Sequence, residues 1–440
     1  MIQAARSKVF VVSFILTDED IVQAILKKVS ELKGRVFVVT CLDDQRLRDG
    51  LAGEDDEIET SATRQMDCRK RLTEGGVWLR ACGGCHAKYG LADDTVAVVS
   101  TSNFEERPLT QGGETGIRLT NSEEVEKIAR HFTRLWHERC EWELPPGENH
   151  TVARRLSEQS PCRVIEPVWT QNSCAIWTDG EEHYILRQLQ QVIESARKEL
   201  LLATWDVIEV AKDPSLLIHP MKKAVERGVK IRMLARRRNP SQNSRDNMRV
   251  LANLGIELLG DKTNHAKGAI ADGQTGLMFS ANFDLNRGLT SGIEMGVILD
   301  HSKALDDFHR YLTFAMERAS DVFVPSPTHA DLNYRLFSNR KTSWPWEKSI
   351  IVTAEPECWN HFAEEVARGP VFFRMTNEEF SLLVLAGREE FILARDTSNN
   401  IVLLQGVRDR NHSGYGPFSK RADSLDAKSG YCPAVITCQP

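Results

Sequence analysis

The chain has 440 residues, 41% of them hydrophobic and 27% charged, with a net charge of −6 and a pI near 6.1. That length exceeds one ordinary core and implies two or three domains, and the composition excludes an intrinsically disordered protein. The negative balance excludes a global basic field for nucleic acid or anionic lipid, so any such attraction must come from a local patch.

No apolar run reaches about 18 residues, so no membrane span is expected. The opening MIQAARSKVFVVSF lacks the basic region, long apolar core and small-residue cleavage site of an export signal. The ten cysteines are scattered at Cys41, Cys68, Cys82, Cys85, Cys140, Cys162, Cys174, Cys358, Cys432 and Cys438. A reduced, cytoplasmic setting is the simplest expectation for such usage.

In chain order, VFVVSF reads as a strand, 19–32 as a helix and RVFVVTCL as a strand. An acidic stretch over 50–65 precedes a helix near 64–74 and the strand VWLRA. Further on, 182–198 places Ile185, Leu189, Val192, Ile193 and Ala196 on one helical face. LLLATW follows as a buried strand, then a helix from Pro214 to Arg227 closed by Gly228, the strand VKIRMLA, a helix over Asp246–Leu254 ending at Gly255, and the strand IELLG. Strands alternating with helices imply an α/β sandwich with a largely parallel sheet. Beyond about residue 325, SIIVTA, VFFRMT, FSLLVLAG, EFILARD and IVLLQGV read as short strands, with a hairpin turning at Ser398-Asn399-Asn400 and a loose final stretch of about fifteen residues.

An internal repeat organises these elements. Residues 75–104 align without gaps on 254–283 at an offset of 179, matching Gly76 with Gly255, His86 with His265, Lys88 with Lys267, Asp93 with Asp272 and Asn103 with Asn282. One inserted residue later, Glu114 matches Glu294. Upstream, MIQAARSKVFVVSF resembles VIESARKELLLATW at an offset of 191, and the first repeat begins where its first helix should be ending. Duplication therefore gives a first half over 1–150, a second over 151–325 and a β-rich appendage over 326–440.

The repeated residues carry the chemistry. Strand alternation places His265 and Lys267 on one face. Asp272-Gly273 reads as a turn, and the returning strand carries Ser280 and Asn282. His86, Lys88, Thr101 and Asn103 repeat this arrangement. Lysine and asparagine suit the non-bridging oxygens of a phosphodiester and the charge of its transition state. A neutral imidazole can attack phosphorus and a protonated one can serve the leaving oxygen. One cluster holds one imidazole, so the two are expected to face each other across a pseudo-twofold. Glu114 and Glu294 are expected to hold one ring nitrogen and fix the tautomer.

H-x-K-x4-D with Asn ten residues beyond, present as HAKYGLAD…TSN and HAKGAIAD…SAN, resembles the double motif of the phospholipase D superfamily. The resemblance covers roughly residues 1–320. It implies two pseudo-symmetric α/β/α sandwich halves with both motifs at their interface, a covalent phosphohistidine, and neither metal nor cofactor. It assigns catalysis to His86, Lys88, Asn103, His265, Lys267 and Asn282, with the glutamates as orienters, Asp93 and Asp272 as scaffolding, and His86 as the favoured nucleophile. The family's Gly-Ser-x-Asn is here Ser100-Thr101-Ser102-Asn103 and Phe279-Ser280-Ala281-Asn282. The hydroxyl is kept and the glycine is lost in both copies.

Other features are less specific. Cys82-Gly-Gly-Cys85 adjoins His86 and reads as free loop thiols, as half of a zinc site with Cys41 or Cys68, or as a source of redox effects on His86 through the adjoining Cys85. Arg236, Arg237 and Arg238, with Arg245 and Arg249, read as a solvated surface or as a phosphate-tracking lip beside the site. Trp344-Pro-Trp346, between Lys341 and Lys348, reads as domain packing or as a base-stacking platform. The reading favoured is a nuclease acting on DNA or RNA, serving defence such as anti-phage defence or repair, with a helicase- or ATPase-type partner by analogy. A phospholipase or phosphatidyl transferase with an apolar entrance near 205–218 is the alternative, and a non-catalytic nucleic-acid-binding module the second.

Overall fold

In a computed structural model of the chain, the described residues are 1–45, 47, 58–111, 113–147, 153–156, 164–180, 182–236, 242–261, 263–319 and 321–323, with the strand backbones at 337–339, 346–351, 353–354, 372–375, 383–384, 392–396, 401–404 and 435–438. The chain divides into two compact units, one of residues 1–236 and 253–318 and one of 237–252 and 319–440. The first repeat half and most of the second fall within the first.

The first half is built on strands β1 (Val9–Val12), β2 (Val36–Val39), β3 (Trp78–Ala81), β4 (Tyr89–Ala92), β5 (Val96–Ser100), β6 (Gly116–Leu119), β7 (Trp142–Leu144) and β8 (Arg154–Arg155). Two VFVV runs form β1 and β2, where branched side chains fill a sheet covered on both faces. The intervening helix, Glu19–Glu31, starts at Asp18, whose side chain accepts from the Ile21 amide at 2.9 Å. Its buried Val22, Ile25 and Val29 follow helical spacing. It ends where Gly34, at φ +80°, takes the left-handed conformation that glycine tolerates best.

The second half uses β9 (Ala175–Asp179), β10 (Glu182–His183), β11 (Glu199–Ala203), β12 (Val207–Ile208), β13 (Lys230–Arg236), β14 (Glu257–Asp261), β15 (Gly268–Ala271), β16 (Thr275–Phe279), β17 (Phe283–Asp284) and β18 (Glu294–Ile298). Its sheet runs β18-β16-β15-β11-β13-β14, strand for strand the order β6-β5-β4-β1-β2-β3 of the first. The helix Tyr184–Ser195 buries Ile185, Leu189, Val192 and Ile193, as the periodicity requires.

Several expectations shift. Each sheet is mixed, not largely parallel: β1, β2 and β3 run parallel, whereas β4, β5 and β6 form an antiparallel meander joined to β1. The reason is local, since the Asp93 and Asp272 turns are too short for a parallel crossover. The helix expected from Pro214 begins at Ile218, and the one expected near 64–74 begins at Ile58. The helix expected over 246–254 spans Gln242–Asn253, mostly in the second unit.

In that second unit, Trp346–Ile351 and Ile392–Asp396 pair antiparallel, and Ile392–Asp396 forms the expected hairpin with Ile401–Leu404. Its turn residues, Ser398 to Asn400, lie outside the described residues. The tail expected to be loose contains Val435–Cys438, paired in parallel with Phe372–Met375. Among the described residues, no helix is long and apolar enough to cross a membrane.

The halves are joined through buried charge. Glu124 accepts from the Cys174 and Ala175 amides at 3.0 and 2.7 Å, and Asp179 pairs with Arg134 and Arg139 at 2.8 and 2.9 Å. Closer to the site, residues 85 and 293 form one isolated bridge and residues 113 and 264 form its pseudo-symmetric counterpart.

Candidate active site

The site lies where the β4–β5 and β15–β16 hairpins open towards each other. His86 and Lys88 precede β4, and His265 and Lys267 precede β15, in extended segments outside the ladders. Thr101 and Asn103, and Ser280 and Asn282, follow the returning strands. The clusters thus sit at the open ends of the hairpins, just beyond the strands expected to hold them.

Cross-half hydrogen bonds place the histidines. The His86 and Ala87 amides both donate to the Ile293 carbonyl at 2.9 Å, and the His265 amide donates to the Gly113 carbonyl at 3.0 Å. The residue after each acceptor is a glutamate. His86 Nδ1 donates to Glu294 Oε1 at 2.9 Å, and His265 Nδ1 donates to Glu114 Oε1 at 2.6 Å. Each imidazole is therefore held by the glutamate of the other half. The second oxygen of each glutamate stays at home: Thr101 Oγ1 donates to Glu114 Oε2 at 2.6 Å, and Ser280 Oγ donates to Glu294 Oε2. An ionised carboxylate only accepts, so Nδ1 carries the proton and Nε2 of each neutral ring keeps its lone pair.

The lysines are fully buried, and each Nζ donates to the carbonyl of its own histidine, Lys88 to His86 and Lys267 to His265 at 2.8 Å. Burial lowers the Lys88 pKa to about 8 and that of Lys267 to about 7; the nearby glutamates oppose the fall, and in Lys267 the charge of Lys88 adds to it. Burial pushes His265 down to about 3, with Lys267 adding and Glu114 opposing. It lowers His86 too, with Lys88 adding and Glu294 opposing. Burial raises both glutamates, but the facing histidine and a lysine outweigh it and leave each below its ordinary value. That a lysine of one half acts on the histidine and lysine of the other marks a single composite site.

Asn103 and Asn282 are pinned from behind. The neighbouring Phe104 and Phe283 amides donate to Ser13 Oγ and Thr204 Oγ1, each at 3.0 Å. Oδ1 of both asparagines is buried without a hydrogen-bond partner. Buried polar atoms are rarely left so, and a carboxamide that can present either end suits a ligand oxygen or proton here.

The aspartates are elsewhere. Asp93, at φ +57°, accepts from the Arg6, Ser7 and Lys8 amides, and Asp272, at φ +53°, from the Arg197, Lys198 and Glu199 amides. Each carboxylate ties a hairpin turn to the start of the central strand, at the far end of the hairpin from the histidine.

Two aromatic residues flank the histidines: Phe14, absent from the candidates read from sequence, and Trp205, first residue of the segment read as an apolar entrance. Phe14 lies 6.3 Å from the His86 ring and Trp205 lies 6.1 Å from the His265 ring. They are the matching last residues of the upstream repeat, which was the available signal. Arg236 sits 5.7 Å over the Trp205 ring and helps lower Lys267. In strand register its counterpart in the first half is Cys41, so this cation is not repeated at the matching position. Arg237, Arg238, Trp344 and Lys341 lie outside the described residues. Among the described residues, no group of three or more His, Cys, Asp or Glu could hold a metal ion, so the zinc reading of Cys82 and Cys85 with Cys41 or Cys68 finds no geometry.

Two α/β/α halves closed on one doubled His–Lys–Asn–Glu site define a duplicated α/β enzyme class. The chain matches the family described as cardiolipin synthase, PLD-like domain, over residues 1–136 and 189–314, and it belongs to this family within the phospholipase D superfamily. Among solved structures it is similar to Nuc, a phospholipase D family member from Salmonella typhimurium, at 21% identity over 33% of this chain and 93% of that one, with a TM-score of 0.29. It is also similar to phosphatidylserine synthase from Haemophilus influenzae Rd KW20, at 14% identity over 73% and 83% of the two chains, with a TM-score of 0.46. A third similar structure is polyphosphate kinase from Porphyromonas gingivalis, at 15% identity over 77% and 46%, with a TM-score of 0.48. No curated protein matches the chain.

Proposed function

We propose that the chain is a phosphodiesterase, and specifically a nuclease that works without a metal through a phosphohistidine. The observation that carries the reading is the crossed pairing of His86 with Glu294 and His265 with Glu114, which gives one site two imidazoles with Nδ1 fixed and Nε2 available. The more exposed ring, His86, attacks phosphorus. Lys88, Lys267, Asn103 and Asn282 take up the charge of the equatorial oxygens. His265 rests neutral; a bound phosphodiester anion, with Glu114 behind the ring, favours its cation, which then protonates the leaving oxygen. With the leaving group gone, the same ring takes a proton from the water that releases the phosphoryl group from His86.

Nucleic acid is favoured over phospholipid by the Arg236–Trp205 pair on the site's flank. A cation over an aromatic ring offers a neighbouring phosphate one partner and a base another. A role in defence or repair with a helicase-type partner is an extension by analogy.

The deciding experiment incubates the purified chain, with chelator, against labelled single- and double-stranded DNA, RNA and phospholipid vesicles. Nucleic-acid cleavage that is lost in His86→Ala and His265→Ala supports the nuclease. Headgroup release with intact nucleic acid transfers the reading to a phospholipase, and tight binding without cleavage transfers it to a binding module. A strict magnesium requirement overturns the phosphohistidine route.

A further inference from the structure

The pseudo-symmetry breaks beside His86. In the second half Asn264 braces the loop before His265, its Nδ2 donating to the Thr204 and Leu234 carbonyls at 2.9 and 3.4 Å. The matching residue in the first half is Cys85, which has no amide to make that brace. In its place is a cavity of about 440 Å³, lined by Ser13 and Val39, the counterparts of Thr204 and Leu234, and by three thiols, Cys41, Cys82 and Cys85.

Cys82 to Cys85 form a tight turn with Gly83 and Gly84 at its centre, Gly84 at φ +74°. Such a turn holds its first and last Cα within about 7 Å, and a disulfide spans about 4.4–6.8 Å. The Cys82 side chain is the leading cause of the raised Cys85 pKa, as expected of neighbours across such a turn. Both are nearly buried, at 5% and 8% exposure, so their opening to small reagents is the cavity.

We propose that Cys82 and Cys85 form a reversible dithiol–disulfide site, oxidised by a peroxide reaching the cavity, and that the disulfide slows the reaction by displacing His86. The Cys82 sulfur takes one oxygen from hydrogen peroxide, giving a sulfenic acid and releasing water. The Cys85 sulfur then attacks the Cys82 sulfur; the S–S bond forms, and the hydroxyl leaves with the Cys85 proton as a second water. Two electrons pass from the thiols to the peroxide bond, and an external dithiol reverses the step. Cys82 beside it and burial push the Cys85 thiol well up, which disfavours its thiolate.

The disulfide acts on catalysis through Ile293. Its amide donates to the Gly84 carbonyl at 3.0 Å, and its carbonyl accepts from His86. Drawing two sulfurs to about 2.05 Å pulls a turn that shares this anchor with His86 and its partner Glu294. A displacement of about 1 Å at a catalytic group costs about 10²-fold.

The experiment titrates the full chain with hydrogen peroxide, blocks the remaining thiols with N-ethylmaleimide and maps peptides by mass. The expected result is a Cys82–Cys85 link, two hydrogens lighter, that forms before Cys68, Cys140 or Cys174 is modified and is reversed by dithiothreitol. Persistence of both thiols while the others oxidise overturns the site, as does a link from either thiol to Cys41. The effect on His86 is read in two ways: its rate of carbethoxylation by diethyl pyrocarbonate, which needs no activity, and hydrolysis of bis(p-nitrophenyl) phosphate. Both are expected to change on oxidation, hydrolysis by roughly 10- to 100-fold, and to recover on reduction. Neither should respond to peroxide in Cys82→Ser or Cys85→Ser. A disulfide that changes neither readout overturns the coupling to His86. The effect on hydrolysis rests on the phosphodiesterase reading; if the reduced protein hydrolyses nothing, that reading fails, while mass and carbethoxylation still decide the dithiol site.

Discussion

Glu294 of the second half holds Nδ1 of His86 in the first at 2.9 Å, and its other oxygen accepts from Ser280 in its own half. The carboxylate thus joins the hydroxyl of one motif to the imidazole of the other. Neither half carries a complete acid–base unit, which explains why two repeats make one site.

This crossing predicts a pattern of energetic coupling. His86→Ala and His265→Ala are each expected to lower kcat by about 10²–10⁴-fold. In double-mutant cycles, His86 should couple to Glu294 and not to Glu114, and His265 to Glu114 and not to Glu294. Steady-state kinetics on one phosphodiester checks this, and coupling within each half would contradict the geometry.

The two imidazoles have separable tasks. With a p-nitrophenyl ester, whose leaving group needs little protonation, His265→Ala should still form the covalent intermediate at His86. It lacks the base that activates water, so phosphate should accumulate on His86 and be visible by alkaline-quenched mass spectrometry. Phosphate on no residue, or its appearance in His86→Ala, would reverse the assignment.

Buried lysines set an alkaline limit. Lys88 and Lys267 titrate near 8 and 7, well below the ordinary 10.5. Phosphate binding needs their charge, so kcat/KM should fall as pH rises through about 7–8. Lys267→Arg, which stays charged, should lower overall activity and shift this limb upward. A profile flat to about pH 9 would show that neither lysine must be protonated.

The aspartates should affect stability. Asp93 titrates near 2 and Asp272 below its ordinary 3.8; burial opposes the shift, and hydrogen bonds from backbone amides, with the Ser7 hydroxyl at Asp93, outweigh it. A depressed carboxyl contributes stability above the unfolded pKa of about 4 and loses it as pH falls through the folded value. Asp93→Ala and Asp272→Ala are expected to cost about 1–2 kcal/mol each at pH 7. The difference from wild type at Asp93 should close near pH 2 in denaturant titrations. Equal stability at pH 7 would remove the aspartates from the scaffold.

Arg236 provides the test of the flank. Arg236→Ala should weaken single-stranded nucleic-acid binding and reduce the slope of log K against log salt by about one. An unchanged slope would place the strand elsewhere.

Much of this molecule was legible from its residues. Duplication, strand and helix order, and the pairing of His, Lys, Asn and Glu follow from local pattern, because periodicity and turn chemistry act over a few residues. The helix Tyr184–Ser195 and the Asp93 and Asp272 turns are cases in point. Sequence spacing could not say which glutamate meets which histidine, since 28 and 29 residues of separation are equally compatible with either half. That choice is made by β-bridges between halves, where Gly113 and Ile293 deliver Glu114 and Glu294 across the pseudo-twofold. The depressed lysines and the thiol-lined cavity behind His86 likewise arise from packing of segments far apart in the chain. Desolvation and register belong to the assembled sheets, and no single segment encodes them alone.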